Sequence, residues 1–459
     1  MHAPRRCLLL GARGAGMLAV GEILRDLGHS TLGLDSSLDE AAAATQSDLA
    51  TWHPGNVPDD VEVCISSPAV AADDAVLQRV HDLNCPVLSL PECLGLVFQS
   101  TRQICVAGTH GKSTTAAMIA AVMERAEYTP GYFVGAGLRT QGRSGQWTGG
   151  AWSVLESCEY QKSFHRLRPY VSVLTGIERD HFDCFPTTES EDVAFAEFAR
   201  RTRASGVVVL RSDCPRSAQV ASSAGRPVVT YGVEDHHADW TAHSIRRDRW
   251  STRFVCAGPQ GETTIRLRVP GQHNVRNALA AIAAATTVGI DPDLAAAGLA
   301  EFSGIERRFQ YRGCYAGIEL IDDYAHHPTA IRETIRTARE CLPERRVIGV
   351  FEPHQMIRTE SLFPEIVSAL SEADEVWLLP VFAARENATR LERCRLSGQL
   401  VKDLNRQGTR SFLFANLDQI VSRIDHSGKP HDAVLTMGAG RTNIIHDQLN
   451  RRLQRHFVA

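Results

Sequence analysis

Seven consecutive residues, Gly108-Thr109-His110-Gly111-Lys112-Ser113-Thr114, constrain the fold of this chain more than any others. They stand between a short apolar run at 104–107 and a helical pattern at 113–124. A glycine loop leading from a buried strand into a helix belongs to a parallel α/β sheet, because parallel strands need a crossover between them. The same turn aims backbone N–H groups and a helix N-terminus at one point, which is an anion site. Lys112 would reach the terminal phosphates of a nucleotide, and the Ser113 hydroxyl would take a place on Mg²⁺. The strict phosphate-loop pattern is broken, since Val106 stands where its first glycine belongs. The plainer reading is a glycine turn before a helix. Against it, only four of the 49 basic residues are lysines (Lys112, Lys162, Lys402 and Lys429), so a lysine at this point is not surface filler.

Strand and helix patterns alternate on both sides of the loop. Runs at 7–10, 30–34, 61–66 and 86–90 read as strands, with a helix at 15–27. Between the first strand and that helix lies Gly11-Ala12-Arg13-Gly14-Ala15-Gly16, and Asp35 follows at the end of the next strand. This is close to a dinucleotide fingerprint, in which a diphosphate rests on the helix N-terminus. Arg13 occupies the place of its second glycine and crowds the backbone. In the middle of the chain 104–107, 153–155, 171–174 and 206–210 read as strands. The stretch 231–269 reads as antiparallel strands, and 271–288 as an alanine-rich helix. A last group of strands is expected at 318–322, 346–351, 375–379 and 433–437. Three α/β units follow, with linkers at 98–103 and 303–311, matching the two or three domains that 459 residues suggest.

The bulk numbers close off other classes. A formal net charge of −4 without long runs of one sign argues against nucleic-acid or membrane-surface partners. No apolar stretch approaches the roughly 18–20 residues that span a bilayer, and the run after Arg6 is too short for a signal peptide. The 12 cysteines are scattered, without a Cys-x-x-Cys pair, as expected of reduced thiols in a cytoplasmic protein.

Three further constellations follow strands. Glu156-Ser157-Cys158-Glu159 places carboxylates at the sheet edge that carries the glycine loop, where hard oxygen ligands for Mg²⁺ are needed. Thr175-Gly176-Ile177-Glu178-Arg179-Asp180-His181-Phe182-Asp183 follows the next strand. Gly271-Gln272-His273-Asn274-Val275-Arg276-Asn277 opens the alanine-rich helix, with Asn274 and Asn277 on one face.

With its shorter phosphate loop, the chain resembles the Mur ligase superfamily, which builds the peptide of the cell-wall precursor. The motifs fall in the order that family requires, over nearly the whole length. The resemblance implies three domains: an N-terminal Rossmann-like domain at 1–98, a central P-loop ATPase-type domain at 99–306, and a C-terminal Rossmann-like α/β domain at 307–459. It implies ATP and Mg²⁺, with Ser113, Glu156 and His181 at the metal and Lys112 and Arg308 on the phosphates. Gly108, Thr109, His110, Gly111, Thr114, Asn274, Asn277 and Asp323 would line the ATP site. Gly11, Gly14, Gly16, Asp35, Ser66 and Ser67 would hold the UDP part of a UDP-sugar. Glu159, His327, His354 and Arg358 would face the substrates that are joined.

Phe351-Glu352-Pro353-His354-Gln355-Met356-Ile357-Arg358-Thr359 and Met437-Gly438-Ala439-Gly440 resemble the alanine-adding branch of the family. UDP-N-acetylmuramate and L-alanine are then the expected partners, joined through an acyl phosphate with ADP and phosphate released. Four positions depart from the pattern: Gly176 replaces asparagine, Gln355 arginine, Cys158 aspartate and Arg441 aspartate. They leave open a branch that attaches a recycled peptide, or a weakened paralogue that only binds UDP-sugar. A nicotinamide-dependent oxidoreductase using the first glycine loop is the rival from another class, and it leaves Lys112 and Glu156 without a task.

Overall fold

The computed structural model describes residues 5–38 and 48–458 and contains three sheets, each with helices packed on it. The first is all parallel: β1 (Arg6–Leu10), β2 (Ser30–Asp35), β3 (Leu49–Thr51), β4 (Val63–Ser66) and β5 (Val87–Ser89), in the order β3-β2-β1-β4-β5. β1 reads Arg-Cys-Leu-Leu-Leu because its centre is covered on both faces, and Leu8 and Leu10 are fully buried. Each such side chain contributes about 1.5–3 kcal/mol by leaving water.

Ten strands form the second sheet: β6 (Arg102–Ala107), β7 (Gly131–Phe133), β8 (Gly145–Gln146), β9 (Trp152–Glu156), β10 (Pro169–Leu174), β11 (Val207–Arg211), β12 (Val228–Gly232), β13 (Trp240–Asp248), β14 (Ser251–Gly258) and β15 (Gly261–Leu267). Their order is β15-β14-β13-β12-β11-β10-β6-β9-β7-β8. The decisive feature is that β6 lies between β9 and β10, both parallel to it. The phosphate loop, the Glu156 segment and the segment after Leu174 therefore leave the sheet side by side, at its carboxyl edge.

The third sheet holds β16 (Gln310–Tyr315), β17 (Ile318–Asp323), β18 (Arg346–Phe351), β19 (Glu375–Leu378), β20 (Arg410–Leu413) and β21 (Asp432–Met437). Their order is β16-β17-β21-β18-β19-β20, with β16 alone antiparallel. Strand order reverses around β17, β21 and β18, so the ends of those strands frame a crevice.

Several strands differ from the sequence expectation. β3, β7, β8 and β20 are two to four residues long, below the length at which an apolar pattern is visible. Residues 231 and 232 belong to parallel β12, and the antiparallel part is the meander β13, β14 and β15. The alanine-rich helix is observed at Gln272–Thr287. All twelve cysteines are free, seven of them buried. Among the described residues no helix is long and apolar enough to cross a membrane.

The first two sheets share a core. Met17, Val20 and Ile23 lie in one apolar cluster with Phe133, Leu155 and Phe164. At its rim the Glu22 carboxylate accepts from the N–H of Ser144 (2.8 Å) and Gly145 (2.7 Å), and Arg143 pairs with Asp26 at 2.7 Å. The third sheet meets the middle one through charged groups, Arg358 with Asp180, Arg276 with Glu333, Arg247 with Glu340 and Arg249 with Glu319, and through Phe182 and Trp250, which pack against its core.

Candidate active site

The phosphate loop runs from Gly108 to Gly111 and enters the helix Lys112–Arg125. Gly111 is left-handed (φ 79°), and a Cβ there would run into Asn277 Oδ1. Gly108 (φ 133°) lies so close to Thr175 and the Gly176 carbonyl that no side chain fits. Thr109 fastens the loop to the segment after β10: its N–H donates to the Gly176 carbonyl (2.8 Å), and its hydroxyl accepts from the Glu178 N–H (2.8 Å).

Lys112, Glu159 and His181 converge. Lys112 Nζ donates to Glu159 Oε1 at 2.9 Å and to the Thr109 carbonyl at 3.3 Å. His181 Nε2 lies 3.4 Å from the same Oε1. Burial alone would lower the Lys112 pKa, but the charge and hydrogen bond of Glu159, with the Glu156 charge and other neighbours, together outweigh it and the net direction is upward. Burial likewise pushes Glu159 up, yet Lys112 and then His181 bring it below its usual value. Glu159 is 1% exposed, and its second oxygen, Oε2, is buried with no hydrogen-bond partner. Glu156 is more fully engaged: Ser113 Oγ donates to its Oε1 at 2.9 Å, and the Gly135 N–H donates to its Oε2. Thr114 is buried in the first turn of the helix.

Asn274 and Asn277 sit beneath the loop rather than facing outward. Asn277 Nδ2 donates to Asn274 Oδ1 (3.1 Å), Asn277 Oδ1 accepts from Thr115 Oγ1 (3.3 Å), and Asn274 Nδ2 donates to the Pro270 carbonyl (2.7 Å). With both buried, they brace Gly111.

From the third sheet, Arg358 reaches across to the segment after β10. Its Nε donates to Asp180 Oδ1 at 2.7 Å, and a terminal nitrogen donates to His354 Nδ1 at 2.7 Å. Asp180 also accepts the His181 N–H at 2.7 Å, so one carboxylate ties Arg358 to the backbone of His181. Burial opposes the Asp180 charge, but the Arg358 cation holds the carboxyl well below its usual range. Burial and then Arg358 push His354 down to about 4. His326 packs 5.7 Å from the His354 ring and is held neutral by the same two causes. His327 points elsewhere, with Nδ1 3.7 Å from Glu178 and Nε2 3.2 Å from the Arg179 carbonyl. Asp323 accepts from the N–H of Phe309 (2.8 Å) and of Ala325 (2.7 Å), fastening the second linker to the end of β17. Arg308 lies over the Tyr324 ring, 5.0 Å from its centre.

The first glycine loop stands apart. Gly11 is left-handed (φ 78°) and packs against Ser67, while Gly14 caps the helix Ala15–Asp26 with an ordinary φ of −64°. A Cβ on Gly16 would press on Leu90 at 2.9 Å. Asp35 turns inward, accepting from the Arg13 N–H (2.8 Å), the Ser37 N–H (2.9 Å) and the Ser37 hydroxyl (2.6 Å). Ser66 Oγ donates to the Ser67 carbonyl at 3.3 Å.

Three family models match in succession: "Mur ligase family, catalytic domain" over residues 9–102, "Mur ligase middle domain" over 106–285, and "Mur ligase, glutamate ligase domain" over 307–440. The chain belongs to the Mur ligase family. The UDP-N-acetylmuramate–L-alanine ligase of Chlorobaculum tepidum is 35% identical over 442 residues, covering 94% of this chain and 92% of that one. The enzyme of the same name from Clostridium kluyveri is 32% identical over 439 residues, 94% of either chain. Among solved structures, the UDP-N-acetylmuramate–alanine ligase of Thermotoga maritima superposes with a TM-score of 0.82 at 24% identity, over 98% of this chain and 100% of that one. A murein peptide ligase from Psychrobacter arcticus gives 0.75 at 24% identity, over 97% and 98%. These last two likenesses concern the fold.

In this Mur ligase two residues matter more than their motifs suggest. Glu159, expected at the substrates, is the carboxylate that joins Lys112 to His181 and keeps a free oxygen. His326, passed over in favour of His327, is the imidazole that accompanies His354 and Arg358. Spacing put Glu159 at this sheet edge but not its pairing with Lys112, and it left His326 out, since only the turn after each strand decides which neighbour points inward. Of the departures, Gly176 has φ 124°, a conformation that excludes the asparagine expected there. Gln355, 3% exposed and at φ 67°, opens the short helix Met356–Ser361 that carries Arg358.

Proposed function

We propose that this Mur ligase joins the carboxylate of UDP-N-acetylmuramate to L-alanine at the expense of ATP, in the cytoplasm, as a step in making the peptidoglycan precursor. The observation that carries the reading is the convergence of Lys112, Glu159 and His181 beside a phosphate loop, in a chain whose relatives bear that activity in their names. A carboxylate resists attack because its charge is delocalised and oxide is a poor leaving group. One carboxylate oxygen attacks the γ-phosphorus of ATP, ADP departs, and an acyl phosphate forms. The amine of alanine, having given up a proton, attacks the acyl carbon, and phosphate leaves with its electron pair.

The chain's own groups serve these steps. The N–H groups around Gly111 and the Lys112 ammonium neutralise charge as the phosphoryl group moves, with Arg308 added from the second linker. Lys112 stays protonated because Glu159 favours its charged form. The unpartnered Glu159 oxygen, the Ser113 hydroxyl, Glu156 and His181 form a donor set that fits Mg²⁺. When bound there, the cation supplies positive charge to the phosphates. Arg358, held flat by Asp180 and His354, offers its remaining edge to the carboxylate of the amino acid. The inward Asp35 shapes the Gly11–Gly16 loop for the UDP diphosphate, with Ser66 and Ser67 on the same edge. Three functional units, dividing near residues 98 and 306, would thus each bring one reactant.

Phosphate release with UDP-N-acetylmuramate and ATP tests the reading, using L-alanine, glycine, L-serine and the recycled tripeptide in parallel. Release that depends on both UDP-N-acetylmuramate and L-alanine is expected. Release with the tripeptide alone would assign the chain to the peptide-attaching branch, and no release with any amine would leave a binding protein.

A further inference from the structure

His110, Glu178 and His327 come from the phosphate loop, the segment after β10 and the start of the helix Pro328–Cys341. One donor atom from each lies within 4.8 Å of the other two. The interactions around them fix how the donors face. His327 Nε2 is 3.2 Å from the Arg179 carbonyl, which can only accept, so Nε2 carries the hydrogen. Nδ1 is then the lone-pair nitrogen, and it weakly accepts the Thr329 N–H at 3.3 Å. Nδ1 also lies 3.7 Å from Glu178 Oε2, and His110 Nε2, buried without a hydrogen-bond partner, lies 3.5 Å from the same oxygen. Two ring nitrogens thus converge on one carboxylate oxygen, an arrangement that a cation among them would satisfy. The outer groups are also in place: the Arg179 carbonyl orients His327, and the Thr329 hydroxyl donates to Glu178 Oε2 at 2.5 Å.

We infer that His110, Glu178 and His327 form a second metal site, separate from the magnesium group, that takes a zinc-class ion and clamps the third module onto the phosphate loop. Two imidazoles and one carboxylate suit zinc and its transition-metal neighbours, whereas magnesium favours a set dominated by oxygen donors, as in the Ser113, Glu156 and Glu159 group. None of the three residues belongs to the Ser113, Glu156, Glu159 and His181 set. Because the phosphate loop and the segment after β10 are already fastened to each other, an ion here ties the third module to both of them at once.

The test uses the full chain with millimolar Mg²⁺ present and Zn²⁺ as probe, titrated against a chromogenic chelator. Wild type should hold one Zn²⁺, and Glu178→Gln, which keeps the shape of the side chain, should bind it at least about tenfold more weakly. His327→Asn, which preserves a helix-capping oxygen, should do the same, and Glu159→Gln should not. Thr329→Val, which leaves all three donors intact, should weaken binding by a smaller factor. Co²⁺ should give visible ligand-field absorption in wild type that Glu178→Gln lacks. Equal zinc affinity in wild type, Glu178→Gln and His327→Asn would overturn the site. So would loss of zinc in Glu159→Gln with retention in Glu178→Gln, which would place the ion in the magnesium group.

Discussion

The chain contains two strand–glycine loop–helix turns, one after β1 and one after β6, with opposite internal wiring. After β1 the acid of the motif is spent on the loop itself, as Asp35 accepts from Arg13 and Ser37. At the loop after β6 the acid, Glu159 from the turn after β9, is spent on the lysine, and one of its oxygens is left over. The first loop is braced by Leu34, Ser67 and Leu90 of its own unit, with Phe133 of the second sheet near Gly16. The second is braced by Asn277 beneath and by Thr109 and Thr175 at the side. A turn that only holds a diphosphate needs shape, whereas one that assists a moving charge needs a cation, spare acceptor capacity and a rigid frame.

The sharpest way to break this contrast is Lys112→Ala, which should lower phosphate release at least ~10³-fold. Near-normal turnover in that variant would leave the two loops equivalent. Gly111→Ala comes next: it forces a side chain at φ 79° against a buried asparagine, and kcat should fall about 10²-fold as the loop shifts.

The acid side of pH separates the loops again, through groups that flank only the second. Burial, and then His110, hold His327 at about 4, below its usual 6.5, so the folded state favours its neutral form. Its contribution to stability is complete above pH 6.5 and is lost as pH falls through 4. Glu178, lowered to about 2 chiefly by His110 against the opposing effect of burial, adds a loss that begins only below about 4.5. His354, also held at about 4, and the neutral His326 add losses of the same sign. Between pH 7 and 5 His327 alone should therefore account for about 2 kcal/mol of the loss, and His327→Asn should reduce the slope in chemical unfolding by that share. An unchanged slope would remove His327 as its origin.

At the first loop effects should be milder. Asp35→Ala should raise KM for the UDP-sugar about tenfold with kcat within about twofold, since it loosens shape without removing charge. A fall in kcat instead would show that this loop too takes part in chemistry. Gly14→Ala should be the weakest, moving KM less than about threefold, because Gly14 has ordinary backbone angles and its nearest contact is the Gly11 carbonyl at 3.3 Å.

Much of this was legible in the residues. The central strands β1, β6, β10 and β18 are buried on both faces and announce themselves as apolar runs, broken in β10 only by Ser172. Both glycine loops are visible because only glycine can follow the backbone at Gly11, Gly108 and Gly111. The short strands were hidden because register with a neighbour, not their own pattern, makes them strands. The convergence of His110, Glu178 and His327 was hidden too, since their separations along the chain carry no signal until the third sheet docks. Asn274 and Asn277 show the opposite failure: a pair on one helix face was visible, but the face points into the protein.

The two seams of the molecule have different costs of opening. Parting the first sheet from the second would wet Met17, Ile23, Phe133 and Phe164 together, a penalty that neither salt nor substrate offsets. Parting the third uncovers Phe182 and Trp250 on the apolar side and the buried Arg358–Asp180 pair, and otherwise releases partly exposed ion pairs that water and dissolved ions can replace at little cost. The molecule is thus a fixed two-sheet bench with a detachable jaw, and ionic strength tunes how often the jaw lets go.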